Sequence, residues 1–154
     1  MNELDHQPIV DWLLGEGTRL EPPVLVESLA HRLTGFGLKL DRFSINFGLL
    51  HPQLLAAGFL WRPGEPMRFT RFGYDNRDSG IYDRSPFKVA HETGRWVHID
   101  MSVTDDEAFG IVPDLRAEGI AHYYAVPLPS STGGRMNLTL ATRSPDGFSR
   151  EQKR

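Results

Sequence analysis

Two short runs of alternating residues, separated by a loop of turn formers, constrain the fold more than any other feature. They lie in residues 121–143, where Ala-His-Tyr-Tyr-Ala-Val-Pro-Leu and Met-Asn-Leu-Thr-Leu-Ala-Thr-Arg flank Pro-Ser-Ser-Thr-Gly-Gly-Arg. Met136, Leu138 and Leu140 share one face of the second run, because successive strand side chains point to opposite sides. The pattern predicts a β-hairpin with a loop longer than two residues. We expect this hairpin to form the centre of an antiparallel sheet on which the helices lie.

Further strands are predicted where apolar and polar residues alternate or where β-formers cluster between turn signals. These strands are residues 42–50, 59–62, 68–74 and 95–101. A Pro-Gly-Glu-Pro loop separates the second from the third. Residues 53–57 predict a helical turn that Gly58 closes.

A helix is predicted over residues 24–36, where Val26, Leu29, Leu33 and Phe36 recur at helical spacing. Two prolines precede this stretch and glycines follow it, as is typical of helix beginnings and ends. Shorter helical segments are predicted at residues 9–14, 85–93 and 149–154.

A capping box is predicted at Thr104 and Glu107, ahead of a helical stripe that includes Ala108 and Leu115. Pro113 interrupts the stripe, so the pattern predicts two short helices rather than one.

The order of these elements favours an α+β domain with a mainly antiparallel sheet, because the strands rarely alternate with full crossover helices. The 154 residues suffice for one domain with a real core. The last predicted helix stops about five residues after it begins, too few to be stable alone. We therefore expect the chain to be a fragment of a longer polypeptide.

Composition narrows the function classes. The net charge of −3 argues against a nucleic-acid surface, which needs clustered positive charge. The absence of cysteine excludes disulfides, thiolate metal sites, a cysteine nucleophile and thioether-linked chromophores in this sequence. No apolar run approaches the roughly 20 residues that span a bilayer, and the polar N-terminus is not a secretory signal. These features predict a cytoplasmic domain that binds neither membrane nor nucleic acid.

Several groups could carry chemistry. His98 and Asp100 share one strand face with Trp96, which suits either a metal or acid/base pair or a merely polar sheet face. Without a third ligand at close spacing we expect no metal. His122 and Tyr124 begin another strand, where they can orient a ligand or serve as ordinary sheet residues.

Other patterns are weaker. Arg68, Arg71 and Arg77 alternate with aromatic residues, which suits a small anionic or aromatic ligand or else a solvated strand face. His91 and Glu92 lack the second histidine that a zincin motif requires, since position 95 is an arginine. The sequence holds neither a P-loop nor a nucleophile elbow.

The hairpin and its flanks together resemble a known family. The motifs that carry the resemblance are Leu-Arg-Ala-Glu-Gly at 115–119, His-Tyr-Tyr-Ala-Val-Pro-Leu at 122–128, Gly-Arg-Met-Asn at 134–137, Ala-Thr at 141–142 and Pro-Asp-Gly-Phe-Ser at 145–149. Trp-Leu-Leu-Gly-Glu-Gly at 12–17, Leu-His-Pro at 50–52, Trp61, Ser-Pro at 85–86 and Thr-Gly at 93–94 agree with the same pattern. It is similar to the N-terminal, GAF-like regulatory region of bacterial class III adenylate/guanylate cyclases, over nearly the whole chain.

The resemblance implies a sensory domain: a central antiparallel sheet of about five to six strands with helices on both sides. It implies a homodimer and a last helix that continues into a covalently linked effector domain, here a cyclase. The metal-binding aspartates and purine-selecting residues of a cyclase have no counterpart in this sequence, so residues 1–154 should make no cyclic nucleotide.

GAF-type domains often hold a small ligand between the sheet and its covering loops, and no motif here identifies that ligand or a cofactor. Our geometric expectation for a ligand pocket takes the following residues: Tyr74, Asp75, Trp96, His98, His122 and Tyr124. Two alternatives stay open, a dimerisation module without ligand and a small enzyme that uses His98, Asp100 and His122.

Overall fold

The computed structural model describes residues 5–48, 54–73, 80–131 and 134–153. We number the helices and strands of these residues in chain order. They are α1 (Gln7–Leu14), a 3-10 helix (Glu16–Arg19), α2 (Pro22–Gly35), β1 (Arg42–Gly48), β2 (Leu54–Trp61), β3 (Arg68–Gly73), α3 (Pro86–Thr93), β4 (Val97–Asp100), α4 (Val112–Ala117), β5 (His122–Leu128) and β6 (Met136–Thr142).

The six strands form one sheet in the order β3-β2-β1-β6-β5-β4. Every neighbouring pair is antiparallel. The predicted hairpin is confirmed as β5 and β6, with Tyr124 opposite Leu140. β6 also pairs with β1, so the hairpin supplies one of the two central strands. The predicted α+β class with a mainly antiparallel sheet is confirmed.

The sheet has two covered faces, because side chains alternate along each strand. On the face that we call the α2 face, Val26 and Ala30 of α2 pack on Phe43, Trp61 and Tyr124. On the opposite face, the α4 face, residues of α4 pack on β4, β5 and β6. The buried members of that cluster are Ile99, Met101, Val112, Leu115, Ile120, Tyr123, Ala125 and Ala141. The expectation of helices on both sides is confirmed.

The helical turn predicted at residues 53–57 is wrong. Residues 54–57 belong to β2, which pairs with β1 on one side and β3 on the other, and residue 53 lies outside the described residues. Ala57, for example, lies opposite Phe47 and Arg71. Leucine and alanine favour helices locally, but two ladders of backbone hydrogen bonds outweigh a preference of a few tenths of a kcal/mol per residue.

The capping box predicted at Thr104 is also wrong, because its hydroxyl donates to the carbonyl of Asp100 at 2.6 Å. The helix α4 begins only at Val112 and has Pro113 in its first turn. Proline is tolerated there because the first-turn N–H groups lack helical partners in any case. Pro113 therefore begins the helix instead of dividing it.

The remaining predicted elements differ mainly at their ends. α3 ends at a left-handed Gly94 with φ 64°, but Ser85 donates its hydroxyl to the Tyr82 carbonyl instead of capping the helix. Residues 149–153 form one turn, in which the Lys153 N–H donates to the Ser149 carbonyl at 3.2 Å. Among the described residues, no helix has both the length and the apolar character that a bilayer crossing requires.

Candidate functional site

Three of the predicted site residues meet at the β4–β5 edge of the α2 face. The register places His98 opposite Tyr124 and Asp100 opposite His122. The His98 ring stacks on the Tyr124 ring with centroids 4.4 Å apart and planes 5° apart. Nε2 of His98 lies 3.0 Å from Nδ1 of His122. We call these three side chains the His98–His122–Tyr124 cluster.

The hydrogen bonds of His122 fix which nitrogens carry protons. Its Nε2 lies 2.7 Å from the carbonyl oxygen of Pro145, which can only accept, so Nε2 must carry the hydrogen. In the neutral ring Nδ1 is then an acceptor, and Nε2–H of His98 donates to it. Both nitrogens of His122 are thereby occupied by partners within the chain.

The turn formed by residues 145–148 covers this cluster. His122 is 9% exposed and Tyr124 3% exposed. A Cβ on Gly147 would lie 2.9 Å from the Tyr124 hydroxyl, so only a glycine lets the turn come this close. Phe148 adds a ring whose centroid lies 5.3 Å from that of Tyr124. The cluster therefore joins the sheet to the C-terminal segment.

The other predicted site residues lie elsewhere. Trp96 immediately precedes β4 and is 46% exposed. Tyr74 and Asp75 lie outside the described residues. Ligand binding by the six predicted residues stays a prediction.

Charges around the cluster disfavour a protonated His98. Burial lowers the pKa of His98, and the nearby charges of His122 and Lys153 lower it further, while Asp100 acts in the opposite direction. The Asp100 carboxylate accepts from the Ser102 N–H at 2.9 Å and hydroxyl at 2.6 Å, and these bonds lower its pKa. Asp100 thus stabilises the turn after β4 and is a poor proton acceptor for chemistry.

A chain of polar side chains crosses the α4 face of the central strands. The amide nitrogen of Asn46 donates to Asn137 Oδ1 and to Ser44 Oγ, each at 3.0 Å. The Ser44 hydroxyl lies 2.6 Å from that of Thr139, which also hydrogen-bonds the phenol of Tyr123. We call these five residues the polar chain.

Burial in the polar chain raises the pKa of Tyr123 to about 12. The positive charge of Arg42 acts in the opposite direction. Nε and Nη1 of Arg42 are themselves buried and have no hydrogen-bond partner among the described residues. The phenol therefore stays protonated and rigid at neutral pH.

At one end, the polar chain reaches a cleft between α3 and the hairpin. Asn137 of the polar chain lies opposite Pro127, which lines the cleft. The cleft has a volume of about 470 Å³. Its lining residues are Tyr82, Lys88, His91, Glu92, Pro127, Leu128, Gly134, Arg135 and Met136.

Tyr82 and His91 form the polar centre of this cleft. The Tyr82 hydroxyl lies 3.1 Å from His91 Nδ1, and the guanidinium carbon of Arg135 lies 5.2 Å from the centre of the Tyr82 ring. Burial lowers the pKa of His91 and raises that of Tyr82. Both side chains are therefore neutral near pH 7. Nε2 of His91 lies 3.4 Å from the Met136 carbonyl, so the Tyr82 hydroxyl donates to Nδ1 and both ring nitrogens have partners within the chain.

Sequence reasoning missed this cleft. His91 was considered only as part of a zinc motif, and Tyr82 and Arg135 stand in loops without any periodic pattern. The polar chain did leave a signal, since Asn137 and Thr139 alternate with leucines on β6.

A second concavity, of about 750 Å³, lies along residues 104–108 beside Arg116. Arg116 stabilises this loop by donating to Asp106 at 2.8 Å, to the Met101 carbonyl at 3.1 Å and to the Thr104 carbonyl at 2.7 Å. The guanidinium is therefore occupied by these loop acceptors. Within the described ranges, no group of three or more His, Asp or Glu side chains is placed to hold a metal ion.

The fold is similar to those of solved sensory domains. The GAF domain of a two-component sensor histidine kinase from Bacillus halodurans matches with 10% identity and a TM-score of 0.57, covering 83% of each chain. The phycoerythrobilin-bound GAF domain of a cyanobacterial phytochrome matches with 13% identity and a TM-score of 0.64, covering 99% of this chain and 88% of that one. The VqsR LBD domain from Pseudomonas aeruginosa matches with 18% identity and a TM-score of 0.54, covering 94% and 85%.

This chain has a GAF-like fold. No protein-family model matches its sequence, and no curated protein sequence does either. At these low identities the likeness establishes the fold alone. It confirms the GAF-like part of the resemblance found in the sequence and leaves the association with a cyclase a prediction.

Proposed function

We propose that this chain is a sensory domain of a signalling protein, which binds a small molecule in the cleft between α3 and the hairpin. The observation that carries the proposal is a cleft that brings Arg135 together with the neutral Tyr82–His91 pair. A ligand there would contact Pro127 and Met136, the strand partner and the chain neighbour of Asn137 in the polar chain. The GAF-like fold of known sensory domains supports the same reading.

The lining of the cleft favours a small planar anion. Lys88 is already paired with Asp83 at 3.2 Å, whereas Arg135 forms no ion pair with any described residue. A guanidinium prefers carboxylates and phosphates, which it binds through two parallel hydrogen bonds. To bind the ligand, Tyr82 and His91 would exchange the hydrogen bond between them and the 3.4 Å contact of His91 Nε2 with the Met136 carbonyl. Pro127 and Leu128 provide apolar surface.

A thermal-shift screen with small aromatic carboxylates and nucleotides tests the proposal. A ligand at 100 times its Kd stabilises a folded protein by about 2.7 kcal/mol. We expect at least one anion to raise the Tm of the wild type and of the control variant Arg95→Gln, whose exposed side chain lies outside the cleft. The Arg135→Gln variant should lose most of that shift. A flat response to all anions, or a full shift in Arg135→Gln, would contradict the proposal.

We also propose that the chain precedes a covalently linked effector, in keeping with the resemblance to cyclase regulatory regions. The C-terminal segment contacts the domain at two points that support this output. Gln152 donates to the Gly37 carbonyl at 3.1 Å, and the Lys153 ammonium lies 5.2 Å from the centre of the Tyr124 ring. A cyclase reading frame directly after Arg154 would support the proposal, and any other continuation would remove it.

A dimerisation module is the second candidate, favoured by exposed apolar side chains near the N-terminus. Leu14 is 74% exposed and Val24 47% exposed. Leu14→Glu should convert a dimer to a monomer in light scattering if these side chains form the interface, and leave the mass unchanged if they do not. An enzyme that uses His98, Asp100 and His122 is disfavoured, because Asp100 and His122 are already engaged by chain atoms.

A further inference from the structure

The C-terminal turn is attached to the sheet through Nε2 of His122, whose other ring nitrogen, Nδ1, loses its acceptor role on protonation. His122 donates Nε2–H to the Pro145 carbonyl on one side and accepts Nε2–H of His98 on the other. Tyr124 lies beneath the same turn, with its hydroxyl 2.9 Å from the place that a Cβ on Gly147 would occupy. We call His98, His122, Tyr124 and residues 145–148 the C-terminal clasp.

We propose that the paired histidines make this clasp sensitive to protons, so that it releases the C-terminal turn when both rings become protonated. The clasp lies on the opposite face of the sheet from the cleft, so its release is a property separate from ligand binding. The release depends on the hydrogen bonds of the histidine pair and on the contacts of the turn.

A first added proton leaves both hydrogen bonds intact. It can be taken by Nδ1 of His98, whose side chain is exposed, while Nε2–H of His98 still donates to His122. Partial burial and the nearby positive charge of Lys153 oppose this proton, so it weakens the clasp without breaking either hydrogen bond. The clasp remains closed at this stage.

A second proton cannot be taken without breaking the pair. It would place an N–H on Nδ1 of His122, directly opposite the N–H of His98 at 3.0 Å. Two donors and two positive charges would then face each other, and the rings must separate. Because His122 holds the Pro145 carbonyl, its displacement loosens the turn.

The charged groups around the pair set the direction of the response. Lys153 of the C-terminal segment adds positive charge and favours release, whereas Asp100 of β4 opposes it. The stacked phenol of Tyr124 is the other titratable group of the clasp. Burial lowers the pKa of His98, so the closed form binds protons less tightly than the open form, and falling pH below about 6.5 shifts the equilibrium toward release.

The test follows histidine protonation and turn opening in the same samples, with EDTA present. Histidine ring carbons are followed by NMR, and amide hydrogen exchange is measured for residues 144–153, divided by the intrinsic rate at each pH. In the wild type we expect the ring-carbon signals of the hydrogen-bonded pair to change in two coupled steps. The turn should lose protection in the lower step, while amides of β1 and β6 keep theirs.

The decisive variant is His98→Gln, whose side-chain amide can donate to His122 Nδ1 or rotate and accept from it, and does not titrate. In this variant the pH at which the turn opens should be lower than in the wild type by about one unit or more. The matched control, His31→Gln, changes an exposed histidine of α2. Its C-terminal turn should open at the same pH as that of the wild type. Equal opening of the wild type and His98→Gln overturns the proposal, as do two histidines that titrate independently while the turn stays protected.

Discussion

The contact between Gly147 and the cluster predicts a large effect of a single methyl group. Gly147 has φ 65°, and a Cβ there would lie 2.9 Å from the Tyr124 hydroxyl and 3.2 Å from ring carbons of His122. Both neighbours are buried, and His122 is held by Pro145, so neither can yield freely. We therefore expect Gly147→Ala to destabilise the domain strongly.

The magnitude separates into two parts. A left-handed backbone costs a residue with a Cβ about 1–2 kcal/mol. Forcing a methyl group into a filled space costs about 1–3 kcal/mol more. The sum predicts a loss of about 2–5 kcal/mol in the free energy of unfolding for Gly147→Ala.

Gly64 provides a matched control, because its φ is 73° and a Cβ there would meet nothing within 4 Å. Gly64→Ala should therefore show only the backbone part, about 1–2 kcal/mol. Urea unfolding at 25 °C measures both variants, and a difference of 1 kcal/mol corresponds to about 2–4 °C in Tm for a domain of this size. Equal losses in the two variants would refute the packing of the turn against the cluster.

The polar chain gives three further predictions. The free energy of unfolding should fall by about 2–3 kcal/mol between about pH 10 and 12. The reason is that the unfolded chain releases the Tyr123 proton near pH 10, whereas the folded chain holds it to about pH 12. Urea unfolding measures this loss, and Tyr123→Phe should remove it. Thr139→Val should cost about 1–3 kcal/mol, since it leaves the hydroxyls of Ser44 and Tyr123 without their shared partner, and Ser44→Ala in the same chain should add less than its separate cost. Gly58→Ala should destabilise the sheet because its Cβ would overlap Asn46 Oδ1, and Asn46→Ala should recover part of that loss in thermal unfolding.

Local sequence patterns predicted the parts of the fold in which local preference and tertiary pairing agree. The hairpin was found because the leucines of β6 alternate strictly and turn formers separate the two strands. β2 was missed in part because Leu-Leu-Ala-Ala carries no alternation. Its strand conformation comes from neighbours on both sides, which no local window contains.

The same limit of local sequence patterns explains which parts of the candidate site were predictable. The grouping of His98 with His122 and Tyr124 was predictable, because neighbouring strands place alternating residues on a common face. The burial of His122 and Tyr124 was not, because it depends on a turn that returns over the sheet some 20 residues later, where Pro145 meets His122. Tyr82 and Arg135 come together only because two loops fold against each other, and neither residue lies in a periodic sequence pattern.

The strand β5 carries neighbouring residues of the polar chain and of the C-terminal clasp. Tyr123 points to the α4 face and belongs to the polar chain, while the next residue, Tyr124, points to the α2 face and belongs to the C-terminal clasp. If a shift of β5 couples them, Thr139→Val and His98→Gln should show a non-additive effect on unfolding free energy, although their side chains lie on opposite faces. Independent sites usually add to within about 0.3–0.5 kcal/mol. A deviation beyond that range supports coupling through β5, whereas additivity means that a ligand in the cleft must reach the C-terminal segment by another route.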